Sequence, residues 1–335
     1  MSFARPASGS QHAERSSDPV GFGLRVAAAV LLVAAGALHP ARLLAEAFVT
    51  IRPFAAVGGV IGLGFVAVRL GAFGRIASLV THERVPTWAA VLGVLVWTAA
   101  LSGLVNLDVA VVVAVPLALN VAGRRGLSPA LIAIMVANLV NAASFLLPTS
   151  NLTNLLILSR DPLPAAAYLR GSLPAWLAVV GVTVVAGLVL LRAPGAAAAG
   201  RAEVRWSLGG VALDLATMFV LVCALRALVP AGIALPGGFA GQVATGSLLA
   251  SGIDNLPAAA AVAPVGAAGR WAAILAMSIG TNLLITGSVA TVLARRIARD
   301  AGVAFDAARS MLLGVVLLPL QIVVAWGALR LAGAL

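Results

Sequence analysis

Polar side chains are scarce in this chain, and they are concentrated. It has eight asparagines, and four of them, Asn138, Asn141, Asn151 and Asn154, fall in one stretch, residues 138–156, with Ser144, Thr149, Ser150 and Thr153. Pro148 interrupts that stretch. Smaller clusters recur at Asn106-Leu107-Asp108, Ser251-Gly252-Ile253-Asp254-Asn255-Leu256-Pro257, Thr281-Asn282 and Gly287-Ser288-Val289-Ala290-Thr291. Amides and hydroxyls donate and accept hydrogen bonds without a permanent charge, and with the N–H groups that a broken helix frees they can hold an anion, a polyol or a cation. An acid beside them can carry a proton or ligate a cation. Asn106, Ser150, Asn151, Thr153 and Asn154 are therefore the substrate-binding candidates of the first half, and Asn255, Thr281, Asn282, Ser288 and Thr291 those of the second. Asp254, with Asp108 second, is the candidate for the coupling ion. Asn138 and Asn141 are assigned to support, bonding backbone groups that a break sets free.

The elements that position these residues are apolar. Hydrophobic residues make up 61% of the 335 and charged residues 10%, against about 25% charged in ordinary soluble domains. Mean hydropathy is +1.08. Apolar runs of about twenty residues recur along nearly the whole length, as in an all-α polytopic membrane protein of about ten spans. In hydrocarbon an unsatisfied polar group is costly, so an amide-rich, proline-broken segment at membrane depth is a candidate binding site.

The net charge is +11, and every basic residue is Arg. The arginines fall mostly in short loops at 69–84, 124–125, 192–205 and 295–309, a positive-inside pattern that speaks against nucleic acid. Cys223, the single cysteine, reads as a small buried hydrophobe. The histidines (His12, His39, His82) lack metal-ligand spacing, and nothing calls for a cofactor or resident metal. Asp214 reads as a helix N-terminal acid, and Arg226 as a side chain snorkelling to an interface.

In chain order, residues 1–21 read as a disordered cytoplasmic tail. The run at 26–38 resembles a signal sequence, with Ala45-Glu46-Ala47 as a cleavage site, but further spans follow directly and favour a retained helix. First spans are expected at 24–38 and 53–70. The run 87–122 would be roughly 54 Å as one helix, too long for a bilayer, so it must break at Asn106-Leu107-Asp108. The first half of residues 129–158 is expected to dip in and return as a re-entrant hairpin turning near Pro148. Residues 192–206 form a cytoplasmic linker between membrane repeats at 22–191 and 207–335.

The halves share an order: acid and amide, an apolar run containing Pro116 or Pro264, then a break rich in Ser, Thr or Asn. Paired interrupted segments point to a repeat-built secondary transporter with its site near the midplane.

Four motifs, Asn106-Leu107-Asp108, Ser150-Asn151-Leu152-Thr153-Asn154, Ser251-Gly252-Ile253-Asp254-Asn255-Leu256-Pro257 and Gly287-Ser288-Val289-Ala290-Thr291-Val292-Leu293, resemble those of the arsenite permease (arsenical pump membrane protein) group of the ion transporter superfamily. Order and spacing match over about residues 45–335. Three departures fall on the motifs. Asp254 stands where two amides usually precede Leu/Met-Pro; Leu284-Ile285-Thr286 lacks a usual proline; Leu107 separates an amide and acid that are usually adjacent. The resemblance implies two inverted repeats, each with a re-entrant hairpin and an interrupted helix, holding substrate between the hairpin tips. It also implies a multi-pass protein of the inner or plasma membrane exporting arsenite or antimonite against inward protons.

The first rival keeps the fold and changes the cargo: a sodium-coupled dicarboxylate or anion carrier, or a sodium/proton antiporter. No Arg lies inside the motifs, which disfavours an anion. An intramembrane protease is disfavoured because Tyr168 is followed by Leu169, neither Asp108 nor Asp254 has a glycine pattern, and there is no His-Glu-x-x-His. The expected partners are the lipid bilayer, a small inorganic solute and a proton or sodium; a cytoplasmic ATPase subunit and a second copy of the chain stay open.

Overall fold

The computed structural model describes residues 19–71, 82, 84–192 and 208–335. Most of the expected tail and linker lies outside these residues. The described residues form thirteen helices and no strand. They are α1 (Pro19–Leu38), α2 (Pro40–Arg69), α3 (Thr87–Leu104), α4 (Leu107–Arg125), α5 (Pro129–Ala142), α6 (Leu152–Arg160), α7 (Ala165–Leu190), α8 (Leu208–Leu228), α9 (Phe239–Ile253), α10 (Asn255–Ala261), α11 (Gly266–Ser278), α12 (Val289–Asp300) and α13 (Ala307–Leu331). Five stretches, in α2, α3, α4, α7 and α13, are long and apolar enough to cross a membrane.

Burial is inverted relative to a soluble protein. Seven of the eight asparagines are buried, all but Asn120. Large apolar side chains such as Phe48, Trp88 and Leu331 face outward. A helical chain that hides its amides and presents Leu, Val, Phe and Trp to its surroundings is a membrane protein.

The expected loop between the first two spans is absent. Only His39 separates α1 from α2, and Arg42, Glu46 and Arg52 lie within α2, with Pro53 inside the helix.

The run 87–122 breaks where expected, at Asn106, but α3 and α4 then fold back on each other as a helical hairpin. A second hairpin, α9 and α10, turns at Asp254. Residues 129–160 take the other form. After the break at 143–151 the arms part company: α5 packs against α3, α4, α7 and α12, whereas α6 packs against α2, α10 and α11. The same holds for α11 and α12, which are separated by short 3-10 turns at Gly280–Leu283 and Ile285–Gly287. The expected hairpin at 129–158 is thus an interrupted helix, and the expected interrupted run at 87–122 is the hairpin. The arms of each interrupted helix bury their apolar faces in separate cores: Ile132 to Val140 and Ala290 to Ala298 in one, Leu152 to Ile157 and Trp271 to Met277 in the other. Two interrupted helices therefore run antiparallel, α5 beside α12 and α6 beside α11, with their breaks meeting in the middle.

Candidate functional site

A break at membrane depth frees backbone carbonyls that need donors. In the first break each carbonyl from residue 143 to 147 receives a side chain. Trp176 Nε1 donates to Ala143 O (2.8 Å), Tyr168 Oη to Phe145 O (2.9 Å) and Ser172 Oγ to Leu146 O (2.8 Å), all from α7. Ser150 Oγ donates to Ser144 O and Leu147 O, both 2.7 Å, and Asn154 Nδ2 to Ser144 O at 2.9 Å. Asn151 Nδ2 reaches Ser144 Oγ at 3.1 Å. Ser150, Asn151 and the Asn154 amide nitrogen are thus engaged in holding the break open.

The second break is held by the turn of the other hairpin. Asn255 Nδ2 donates to Met277 O (3.2 Å), Ser251 Oγ to Gly280 O (2.8 Å) and Thr281 Oγ1 to Ser278 O (2.8 Å). It is also built on close approach. A Cβ on Gly280 would lie 2.7 Å from Ser247 Cα, so the backbones of α9 and this break approach more closely than an alanine permits.

Four of the sequence motifs prove to be helix starts. Asn106 Oδ1 accepts from Asp108 N (2.8 Å), Asn151 Oδ1 from Thr153 N (3.1 Å), Asp254 Oδ1 from Leu256 N (3.0 Å) and Ser288 Oγ from Ala290 N (3.2 Å). Each is an N-cap in which a polar oxygen satisfies an orphan amide. Asp254 does so at φ 73°, the one described non-glycine residue with positive φ, a strained conformation of the kind that clusters at functional sites. The same turn meets the second break where Thr286 Oγ1 donates to Ser251 O at 3.2 Å.

The breaks meet through Asn141. Its Nδ2 donates to Asn282 Oδ1 (2.9 Å) and to Thr291 Oγ1 (2.8 Å), and Asn282 Nδ2 donates to Asn138 O (3.0 Å). Asn106 Nδ2 reaches Ser150 O at 3.4 Å, tying the turn of the first hairpin to the first break. All twelve candidate residues lie at the hairpin turns and the breaks. Eleven are buried; Asp108, in the first turn of α4, is half-buried.

Asn141 is the residue that sequence reasoning undervalued. Assigned there to local support, it links the two breaks directly by side chain; only its position just before the break hinted at this. Tyr168, Ser172 and Trp176 were missed altogether, since their role depends on α7 lying against the break. Arg226 does not snorkel. It is buried (2% exposed) and its Nη2 donates to Leu156 O (2.7 Å) and Ser159 Oγ (3.0 Å). Asp214 lies beyond the first turn of α8 and pairs with Arg25 at 3.3 Å, so it is not a helix N-terminal acid.

Several buried oxygens have no donor: Asn138 Oδ1, Asn141 Oδ1, Asn154 Oδ1, Thr153 Oγ1 and Ser278 Oγ. Three belong to amides and two to hydroxyls, all near the breaks. Buried acceptors left over after the backbone is satisfied are costly unless something else supplies a donor or a cation. No group of three or more His, Cys, Asp or Glu able to hold a metal occurs among the described residues.

Fold and site together define a helical membrane protein with a buried amide centre at the crossing of two interrupted helices. No protein-family model matches the chain, and no curated protein matches it.

Proposed function

We propose that this protein is a secondary active transporter that exports a small neutral polyhydroxide, arsenite or antimonite, across the cell membrane in exchange for protons. The observation that carries the reading is the meeting of the two breaks at Asn141, Asn282 and Thr291 with buried amide and hydroxyl oxygens left unpartnered beside them. A trihydroxide presents O–H donors to such oxygens and brings no charge whose desolvation must be offset. Broken helices in antiparallel repeats are the architecture in which a site at the midplane is exposed alternately to either side. Asp254 is the coupling residue of this reading: buried, strained, and capping α10 in the turn that bonds the second break. A proton taken up or lost there changes the charge between the second hairpin and the second break, and so biases their packing.

The same unpartnered oxygens also suit sodium, a hard cation that takes neutral oxygen ligands, and this supports a sodium-coupled carrier as the second reading. Anionic cargo gains no support, because Arg226, the one fully buried cation among the described residues, already donates to Leu156 O and Ser159 Oγ of α6.

The test is uptake of arsenite into everted vesicles under an imposed pH gradient or a sodium gradient, with growth of an arsenite-sensitive host as the companion assay. Proton-driven uptake and protection are expected. Asp254→Asn is expected to abolish the pH-driven component; undiminished transport in that variant removes Asp254 from the coupling role. Uptake that follows sodium alone moves the assignment to the second reading.

A further inference from the structure

The bonds between the chain's halves are unevenly distributed. Apart from the amide centre, the buried Gln321–Thr183 contact and the exposed Arg25–Asp214 pair, those described converge on one place, the C-terminal end of α6. Arg226, on α8, donates to Leu156 O and Ser159 Oγ, with Glu46 of α2 3.8 Å away. Arg160, the last residue of α6, donates to Ala260 O at the end of α10 (2.9 Å). Asp161, the next residue, takes Arg270 Nε of α11 at 3.0 Å. The opposite end, where α4, α5 and α12 meet, is an apolar core of Ala118, Val121, Ile132, Ala294 and Ile297.

This cluster is more than packing requires. A charge buried as deeply as Arg226 in a membrane protein is expensive, and an apolar residue of its volume would cost less. What the arginines supply is directional. The last carbonyls of a half-helix lack partners within the helix, and a cation there also complements its dipole. Arg160 serves α10 in this way, and Arg226 braces the last two turns of α6 through the Leu156 carbonyl and the Ser159 hydroxyl. The Arg270–Asp161 pair then ties α6 to α11, its neighbour from the other interrupted helix. Along nine-residue α6, the strap lies roughly 13 Å from the capped start at the break. At this end α6, α10 and α11 pack on one another.

We propose that Arg160, Asp161, Arg226 and Arg270 form an ionic strap that closes the site on the membrane face carrying residues 161–164, and that Asp161–Arg270 is the link that releases when that face opens. The inference rests on the transporter reading only for the need to open; closure itself can be measured without any transported solute.

The experiment uses the full chain with Cys223→Ala and a probe cysteine at Ser278→Cys, at the end of α11, where the replaced hydroxyl has no hydrogen-bond partner. The rate of reaction with a membrane-impermeant maleimide is read in right-side-out and in everted vesicles. Asp161→Asn and Arg270→Gln are each expected to raise the rate from the face bearing residues 161–164 by about tenfold, the scale of losing one charge-assisted hydrogen bond. The exchanged pair Asp161→Arg with Arg270→Asp restores the slow rate if the link is electrostatic. Unchanged labelling in the single variants overturns the strap. So does an equal rise from both faces, which reports general loosening, and so does an exchanged pair as reactive as the single variants. Failure of labelling to respond leaves the transport reading standing, since vesicle uptake tests that separately.

Discussion

Asn141→Leu is the sharpest test of how the halves are joined. Leucine keeps the volume and removes the one nitrogen that donates at 2.9 Å to Asn282 Oδ1 and at 2.8 Å to Thr291 Oγ1. Two buried acceptors are then left facing hydrocarbon. Each lost bond is worth about 1 kcal/mol in proteins generally and about 0.6 kcal/mol on average between membrane helices, so the expected loss is about 1–2 kcal/mol. Asn138→Leu is the control. It removes only a bond from Nδ2 to Ile134 O within the same helix (3.1 Å), while the Asn138 backbone carbonyl keeps its donor, Asn282. The carbonyl of Ile134 retains its helical partner, so the cost stays below about 0.5 kcal/mol. Reversible unfolding in mixed micelles separates the two. A double-mutant cycle of Asn141→Leu with Thr291→Val should return a coupling of about 0.6 kcal/mol, at most about 1.7. A variant at Asn138 as damaging as the one at Asn141, or a coupling indistinguishable from zero, would refute the bridge.

Tyr168→Phe removes the donor to the buried Phe145 carbonyl and should cost about 0.6–1 kcal/mol by the same reckoning. Thr98→Val, whose hydroxyl bonds a carbonyl within its own helix, should cost far less in the same unfolding assay. In Gly314→Ala the new Cβ would fall 2.0 Å from Asn282 O, so α13 must move off the second break. Lower thermal stability and loss of vesicle uptake are expected, whereas Gly327→Ala, with open space around it, should gain up to about 1 kcal/mol from helix propensity. The exposed Arg25–Asp214 pair should contribute under about 1 kcal/mol and weaken with salt; a larger, salt-insensitive loss in Arg25→Gln would mean that the pair sits in a drier place than its exposure indicates.

Much of the site was legible because its signals are local. Asn106, Asn151, Asp254 and Ser288 stood out as polar interruptions in apolar runs, and each turned out to cap a helix, a function set by the residue and the two that follow. What each oxygen bonds to beyond its own turn was not legible. Ser150, proposed for substrate, spends its hydroxyl on the carbonyls of Ser144 and Leu147. Asn141, proposed for support, reaches across to the other half. The type of residue in a break predicts that it will bond something; only the approach of another helix decides what.

The sequence by itself determined that the chain is a helical membrane protein, where its helices break, and that the breaks are polar. Composition and the length of apolar runs fix those features, because an unpaired backbone cannot sit in lipid. Which broken stretch folds back and which continues was decided by tertiary structure alone. A run of suitable length reads the same whether its second arm returns along the first, as α4 does along α3, or packs into a separate core, as α6 does with α10 and α11. Periodicity records that a face is apolar and leaves open which neighbour covers it. The amide centre exists only because α5 and α12 lie side by side, bringing Asn141 to a threonine 150 residues away.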